Sequence, residues 1–280
     1  MEQKVLILGA NGMLGHDLSR VFANQNPFLW DQTDLDITDQ IAVEKKLADL
    51  HPTVIINAAA YTNVDGAETD AQAAFKINAD AVGYLAQTAQ TLGAILVHFS
   101  TEYVFDGKNK TGYREDSQIG PLNVYGHSKV SGEELLIKNC EMYYLIRSSW
   151  LYGHSPQIGK PRGLNFVETM LKLAAEGRPL KVVNDQFGSP TYTVDLALQT
   201  RNIIEQFKPC GIYHVTNSGV CSWYDFAAEV FKLKGLAVDL QPIKSQDYPL
   251  ATSRPQYSIL LNTKLDPLRS WNDALKDYLQ

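Results

Sequence analysis

The first half of the chain alternates short apolar runs with longer stretches in which apolar residues recur at helical spacing. Positions 5–8, 28–31, 54–58, 95–100 and 143–146 are the apolar runs, and each is short and bounded by polar residues, glycine or proline. Runs of that length read as strands, and consecutive apolar positions imply cover on both faces. Between them, stretches near 14–25, 38–49, 71–92 and 125–139 read as helices. Alternation of this kind predicts an α/β fold: a doubly wound, parallel, Rossmann-like sheet with helices on both sides. The second half is less regular. Positions 165–176, 223–232 and 270–279 read as helices, and 180–183 and 212–215 as strands. The segment 154–163 holds two prolines and two glycines and reads as a loop. The expected organisation is a dinucleotide-binding domain over 1–150 and a smaller, mainly substrate-binding lobe over 151–280, with about 180–207 returning to the main sheet.

The junction between the first strand and the first helix carries the first chemical signal. Gly9, Gly12 and Gly15 stand three apart in Gly9-Ala10-Asn11-Gly12-Met13-Leu14-Gly15. A glycine turn between strand and helix lets backbone amides approach a pyrophosphate at a helix N-terminus, where unpaired N–H groups favour an anion. The spacing G-x-x-G-x-x-G is similar to that of the extended branch of the short-chain dehydrogenase/reductase superfamily. Asp31, closing the second run, is placed to accept from the 2′-hydroxyl of an adenosine ribose, as an alternative to serving only as a turn acid.

Composition narrows the partners. The 280 residues carry 25 Lys and Arg against 31 Asp and Glu, a net charge of −6. These charges are interspersed without a basic block, which argues against nucleic acid or an anionic membrane as a partner. No apolar stretch approaches the roughly 18 residues of a membrane helix. The first strand begins almost at once, leaving no room for a signal peptide. Cys140, Cys210 and Cys221 show no metal-like spacing and read as free thiols of a reducing compartment. A cytoplasmic location is expected.

Tyr125 and Lys129 are four apart and share a helical face. A tyrosine with its ordinary pKa near 10 exchanges protons poorly at neutral pH, and a nearby ammonium brings it towards the working range. Ser100 and Thr101 end a predicted strand at the same edge of the sheet. A dinucleotide turn, a strand-end hydroxyl and a Tyr/Lys pair together point to Tyr125 and Lys129 as catalytic residues.

From here the resemblance becomes specific. Ser100-Thr101-Glu102-Tyr103-Val104-Phe105-Asp106-Gly107 resembles the S-T-D-Y-V-F-D-G segment of the dTDP-4-dehydrorhamnose reductase family. In the same order follow matches at 57–62 with Val64 and Asp65, 121–126, 147–153, 165–167, 185–191, and Arg254-Pro255 with Ser258. The matches span residue 4 to about residue 275. The resemblance implies NADPH or NADH as cofactor and a small nucleotide-sugar substrate, with a homodimer among the arrangements it allows. It implies that Tyr125 donates a proton to the C4 keto oxygen, that Thr101 hydrogen-bonds that oxygen, and that Lys129 holds the nicotinamide ribose and lowers the Tyr125 pKa. The cofactor positions are Gly9, Gly12, Met13, Leu14 and Gly15 at the turn, Asp31, Asp36 and Ile37, then Ala60, Tyr61 and Thr62, with Tyr125 and Lys129. The substrate positions are Thr101, Glu102, Tyr103, Trp150, Asn165 and Arg254. Trp150 has packing as its alternative, and Arg254 a surface ion pair.

Three departures from the family pattern stand out. Glu102 replaces the usual Asp. A divalent-ion site that some family members carry at a dimer contact is incomplete here, at Asp17 and 193–194, so no metal is expected to be required. The loop 154–163 is longer than usual; one reading has it cap the substrate, with Lys160 and Arg162 meeting the diphosphate, and the other makes it a solvent-exposed, disordered insertion without a role. Two other functions remain open: a nucleotide-sugar 4-epimerase or dehydratase, and a non-catalytic regulatory subunit. A dehydratase would carry Thr-Asp-Glu where Thr101-Glu102-Tyr103 supplies one carboxylate.

Overall fold

The computed structural model describes residues 3–159, 163–248 and 252–280. The first half runs β1 (Val5–Leu8), α1 (Met13–Val21), β2 (Phe28–Trp30), α2 (Gln40–Leu50), β3 (Val54–Asn57), α3 (Val64–Ala67), α4 (Ala71–Phe75), α5 (Ala81–Leu92), β4 (Ile95–Thr101), α6 (Val124–Asn139) and β5 (Tyr143–Ser148). The second half continues with β6 (Leu151–Tyr152), α7 (Phe166–Ala175), β7 (Leu180–Val183), β8 (Phe187–Gly188), β9 (Thr191–Tyr192), α8 (Thr193–Glu205) and β10 (Gly211–His214). It closes with β11 (Cys221–Ser222), α9 (Trp223–Leu233), β12 (Leu240–Ile243) and α10 (Trp271–Tyr278).

Among the described residues, six strands form one parallel sheet in the order β10-β5-β4-β3-β1-β2. The alternation of side chains along each strand divides the apolar residues between two cores. Val5, Ile7, Val54, Ile56, Val97, Phe99, Tyr144 and Ile146 face α1 and α8. Leu6, Leu8, Ile55, Leu96 and Leu145 face α2, α5 and α6. Burial of both faces is why the strands read as unbroken apolar runs. The chain leaves β1 for β2 on one side and builds β3, β4, β5 and β10 on the other. The crevice at that reversal, beyond the carboxyl ends of β1 and β3, is where such sheets bind ligands.

The second half rejoins the sheet through α8 and β10. Of 180–207, β7 pairs in parallel with β12, in register Leu180 with Leu240, and stays outside the main sheet. The helix α8 packs on the α1 side through Leu196, Ala197, Ile203 and Ile204. The strand that extends the sheet is β10, beside β5. The remaining elements enclose a separate core around Tyr152, Val167, Met170, Phe226, Val230 and Leu275. That lobe closes over the carboxyl edge of β5.

Candidate functional site

The turn after β1 is shaped by contact. Gly9 has φ +72°, and a Cβ there would lie 2.8 Å from Ala59 N. A Cβ at Gly15 would run into the Gly9 carbonyl, so α1 sits closer to the turn than any other residue allows. Gly12 N donates to Gly9 O at 3.1 Å and His16 N to Gly12 O at 2.9 Å. The amides between them are the open first turn of α1. Asp31 ties this turn to the end of β2: its Oδ2 accepts from Asn11 N at 3.0 Å and its Oδ1 from Gln32 N at 2.7 Å.

A cleft of about 360 Å³ opens over the turn. Gly9, Gly12, Met13, Leu14, Asp31, Asp36, Ile37, Ala60, Thr62, Tyr125 and Lys129 all line it, so eleven of the residues read from sequence as cofactor ligands converge on one groove. Gly15 lies beneath it as packing. Tyr61 also stands outside the lining: its amide donates to Asn78 Oδ1 at 2.9 Å and its carbonyl accepts from Asn78 Nδ2 at 3.0 Å. Asn78 lies in a widened helical turn, Lys76–Asp80, and also donates to Ser128 Oγ at 3.0 Å, which fixes α6 beside the groove. Asp36 is exposed, and its hydrogen bonds from the Thr38 hydroxyl and amide hold its carboxyl below the usual range.

The end of β4 meets α6 at the floor of the groove. Lys129 is 2% exposed; its Nζ donates to Phe99 O at 2.7 Å and lies 3.2 Å from His98 Nε2. Burial pushes the amine down to about 8, against the pull of Glu133. The Tyr125 phenol is hydrogen-bonded with Thr101, and burial followed by the Glu102 carboxyl raises its pKa above the ordinary value. Burial and Glu102 thus hold the phenol protonated, as a proton donor requires, and Lys129, expected to lower its pKa, does not offset them. Thr101 Oγ1 in turn donates to Glu102 Oε2 at 2.8 Å. Glu102 is itself buried, and desolvation pushes its carboxyl up to about 7. It meets Thr101 and, like Thr101, lies outside the lining of the cofactor groove.

The candidates for the sugar side lie off the cofactor groove. Tyr103 packs edge-on against Tyr125, ring centroids 5.5 Å apart, and Arg254 lies 5.8 Å from the Tyr103 ring. Arg254 Nη2 donates to Asp65 Oδ2 at 2.8 Å, while Nη1 is buried without a hydrogen-bond partner among the described residues. That spare N–H is an anion donor, more than a surface ion pair requires. Trp150 has φ +50°, a left-handed backbone that a bulky residue rarely adopts. Its indole stacks on Trp223 at 3.5 Å between centroids, over the Gly188 backbone. Asn165 is a correction. It is 1% exposed and caps α7: Oδ1 accepts from Glu168 N, and Nδ2 donates to Gly153 O and Tyr278 Oη. No polar atom is left for substrate.

The long loop 154–163 is described only in part. Lys160 and Arg162 lie outside the described residues. The described part, Gln157, Ile158 and Gly159, lines the cofactor groove, with Gly159 against Thr62. The sequence did not reveal Asn57, His98, Glu133 and Trp223 as neighbours of the site. Glu133 alone left a trace, standing four residues beyond Lys129 on the same helical face.

The model of the RmlD substrate binding domain matches residues 3–280. The chain belongs to the dTDP-4-dehydrorhamnose reductase family. It is 38% identical to the dTDP-4-dehydrorhamnose reductase of Escherichia coli K12, over 98% of this chain and 96% of that one. It is 41% identical to the spore coat polysaccharide biosynthesis protein SpsK of Bacillus subtilis, over 99% and 97%. The crystal structure of the Bacillus anthracis dTDP-4-dehydrorhamnose reductase in complex with NADP superposes with a TM-score of 0.94 at 36% identity, covering 99% of both chains. Membership accounts for the two features that composition alone leaves unconnected, a dinucleotide turn and a Tyr/Lys pair on α6. Among the described residues no helix is long and apolar enough to cross a membrane.

Proposed function

We propose that this chain reduces the C4 ketone of a dTDP-4-dehydro-6-deoxy sugar, giving dTDP-L-rhamnose. The observation that carries the reading is Tyr125 and Lys129 lining a groove built on the Gly9–Gly15 turn, with Thr101 hydrogen-bonded to the Tyr125 phenol. The groove suits a dinucleotide: it is walled by close backbone at Gly9 and Gly12 and by the open first turn of α1. Gly9, Gly12, Met13 and Leu14 would hold the pyrophosphate. Asp31, Asp36 and Ile37 would hold the adenosine end, with Ala60 and Thr62 on the opposite wall. NADPH or NADH, when bound, supplies the hydride.

The chain's own groups do the rest. Lys129 holds the ribose nearest the reacting end. The Thr101 hydroxyl positions the keto oxygen, and the Tyr125 phenol, kept protonated by burial, gives its proton to that oxygen. Tyr103 and Trp150 bound the sugar side, and the spare N–H of Arg254 suits a phosphate oxygen. A cytoplasmic location and a homodimer belong to the same proposal, and are tested by fractionation and by sedimentation.

The deciding experiment follows NADPH and NADH oxidation with dTDP-4-keto-6-deoxy-L-mannose and identifies the product. Oxidation that depends on the sugar, with dTDP-L-rhamnose formed, is expected. Turnover without net oxidation of free cofactor would instead indicate an epimerase that keeps its cofactor bound.

A further inference from the structure

Beneath the proposed catalytic lysine lies a chain of buried polar groups that the mechanism above does not use. Asn57 ends β3, His98 sits mid-way along β4, and both are 1% exposed. Ala59 N donates to Asn57 Oδ1 at 3.1 Å, which fixes the orientation of that amide. Its Nδ2 therefore faces His98 Nδ1, at 3.1 Å. An amide NH2 can only donate, so Nδ1 must carry a lone pair. Burial, and then the neighbouring Lys129, hold the imidazole well below its usual pKa, so it is neutral and its one proton is on Nε2. That N–H points at Lys129 Nζ, 3.2 Å away. An ammonium has three donors and no acceptor, and would set N–H against N–H. A neutral amine accepts from Nε2–H and still donates to Phe99 O.

We propose that His98 is a positioning residue: locked by Asn57 as its Nε2–H tautomer, it donates to Lys129 Nζ and favours the neutral amine in the cofactor-free enzyme. Hydrogen bonding to the neutral form of a base disfavours its charged form. The inference rests on the reading of Lys129 as a cofactor ligand. The other groups facing the amine are few. Along α6, the Tyr125 phenol lies one turn back and Glu133 one turn on. Glu133 favours the ammonium, but its charge is shared with Arg147 on β5, through contacts of 2.9 and 2.6 Å, and with Ser100 Oγ on β4. From β4 the amine meets the His98 ring and the Phe99 carbonyl. The donor direction thus runs from Ala59 through Asn57 and His98 to Lys129, set by a backbone amide at the wall of the cofactor groove.

Two measurements test this. Nitrogen NMR of the cofactor-free wild type, with labelled histidine, is expected to show His98 protonated on Nε2 and bare on Nδ1; the Nδ1–H tautomer overturns the proposal. The second uses Asn57→Asp, which keeps the shape but reverses the hydrogen bond, since a carboxylate accepts from Nδ1–H and leaves Nε2 bare to accept from an ammonium. NADPH affinity followed by fluorescence against pH is expected to fall on the alkaline side in the wild type, as Lys129 loses its proton. In Asn57→Asp that fall should move up by about one pH unit, a tenfold change in the proton equilibrium. His98→Gln, which can also present an oxygen to the amine, should move it the same way. Weakened affinity with an unmoved inflection in both variants means that His98 is only packing, and the proposal fails. A Tyr125→Phe variant with full turnover would instead remove the catalytic reading while leaving the tautomer result intact.

Discussion

Replacing Glu102 by Gln isolates the energetic cost of an acid buried behind Thr101. The Glu102 side chain is 4% exposed and accepts a hydrogen bond from Thr101 at 2.8 Å. Burial pushes its carboxyl from 4.5 up to about 7. In the unfolded chain the group ionises near 4.5, so between those values the folded protein keeps a proton that the unfolded chain has released. The stability from this group is then full below about 4.5 and is lost as pH rises through about 7. The gap corresponds to ~3 kcal/mol at most, at about 1.4 kcal/mol per pH unit. Glutamine has the same shape, offers Thr101 the same acceptor and cannot ionise. Glu102→Gln should therefore gain ~3 kcal/mol on the wild type at pH 8 and little at pH 5. In thermal unfolding that is about 6–12 °C at pH 8, at roughly 2–4 °C per kcal/mol for a chain approaching this size. A difference in midpoint that is the same at both pH values refutes the argument, because it would show that Glu102 ionises alike in both states.

Four further outcomes are expected. Tyr125→Phe should lower turnover by about 10² to 10⁴ with NADPH affinity unchanged, read by kinetics and fluorescence titration. Asp31→Ala should weaken NADH and relatively improve NADPH, because it removes a ribose acceptor and a negative charge near any 2′-phosphate; the ratio of the two kcat/KM values measures it. Arg254→Ala should raise KM for the nucleotide sugar about tenfold or more and spare NADPH, since Arg254 does not line the cofactor groove. Shortening the loop by joining Ser155 to Leu164 should weaken NADPH and leave the KM of the sugar alone, because Gln157, Ile158 and Gly159 border the cofactor groove.

How much of this was legible in the sequence depended on whether the signal was local. The strands β1, β3, β4 and β5 were readable because burial on both faces leaves unbroken apolar runs, and α6 because Tyr125 and Lys129 stand one turn apart in it. The turn at Gly9 was readable because backbone geometry demands glycine there. The short paired strands β6, β8, β9 and β11, two residues each, leave no periodicity to detect. Within 180–207 the partners decide the outcome: α8 returns to the α1 side of the sheet whereas β7 pairs with β12, and nothing local to Leu180–Val183 names that partner. Asn165 looked like a ligand because cap and ligand use the same side chain; its capping box with Glu168 was present in the sequence as Asn-x-x-Glu. His98 was invisible: a lone histidine in an apolar strand carries no sign of what its two nitrogens face.

The position of α6 explains why so many charges are buried beneath a groove that needs only a few of them. Tyr125, Lys129 and Glu133 stand four apart, so they form one line down the helix facing the sheet. Each is held by a different partner: Tyr125 by Thr101 at the end of β4, Lys129 by Phe99 O and His98 within β4, and Glu133 by Arg147 of β5 and Ser100 of β4. Arg147 is in turn held by Glu115 O, and His214 of β10 lies against it at 3.5 Å. An apolar seam would stabilise the same interface at least as well, because desolvating an ion pair often cancels its attraction. What an apolar seam lacks is direction. Leucines tolerate small slides between helix and sheet, whereas a two-point Arg147–Glu133 contact and a single-donor line through His98 are satisfied in one register only. Leaving either charge of the Glu133–Arg147 pair alone costs about 3–5 kcal/mol, a large share of what a folded chain has to lose. The network therefore fixes where the Tyr125 phenol and the Lys129 amine stand relative to Thr101, and hydride reduction of a carbonyl needs that placement to within a fraction of an ångström.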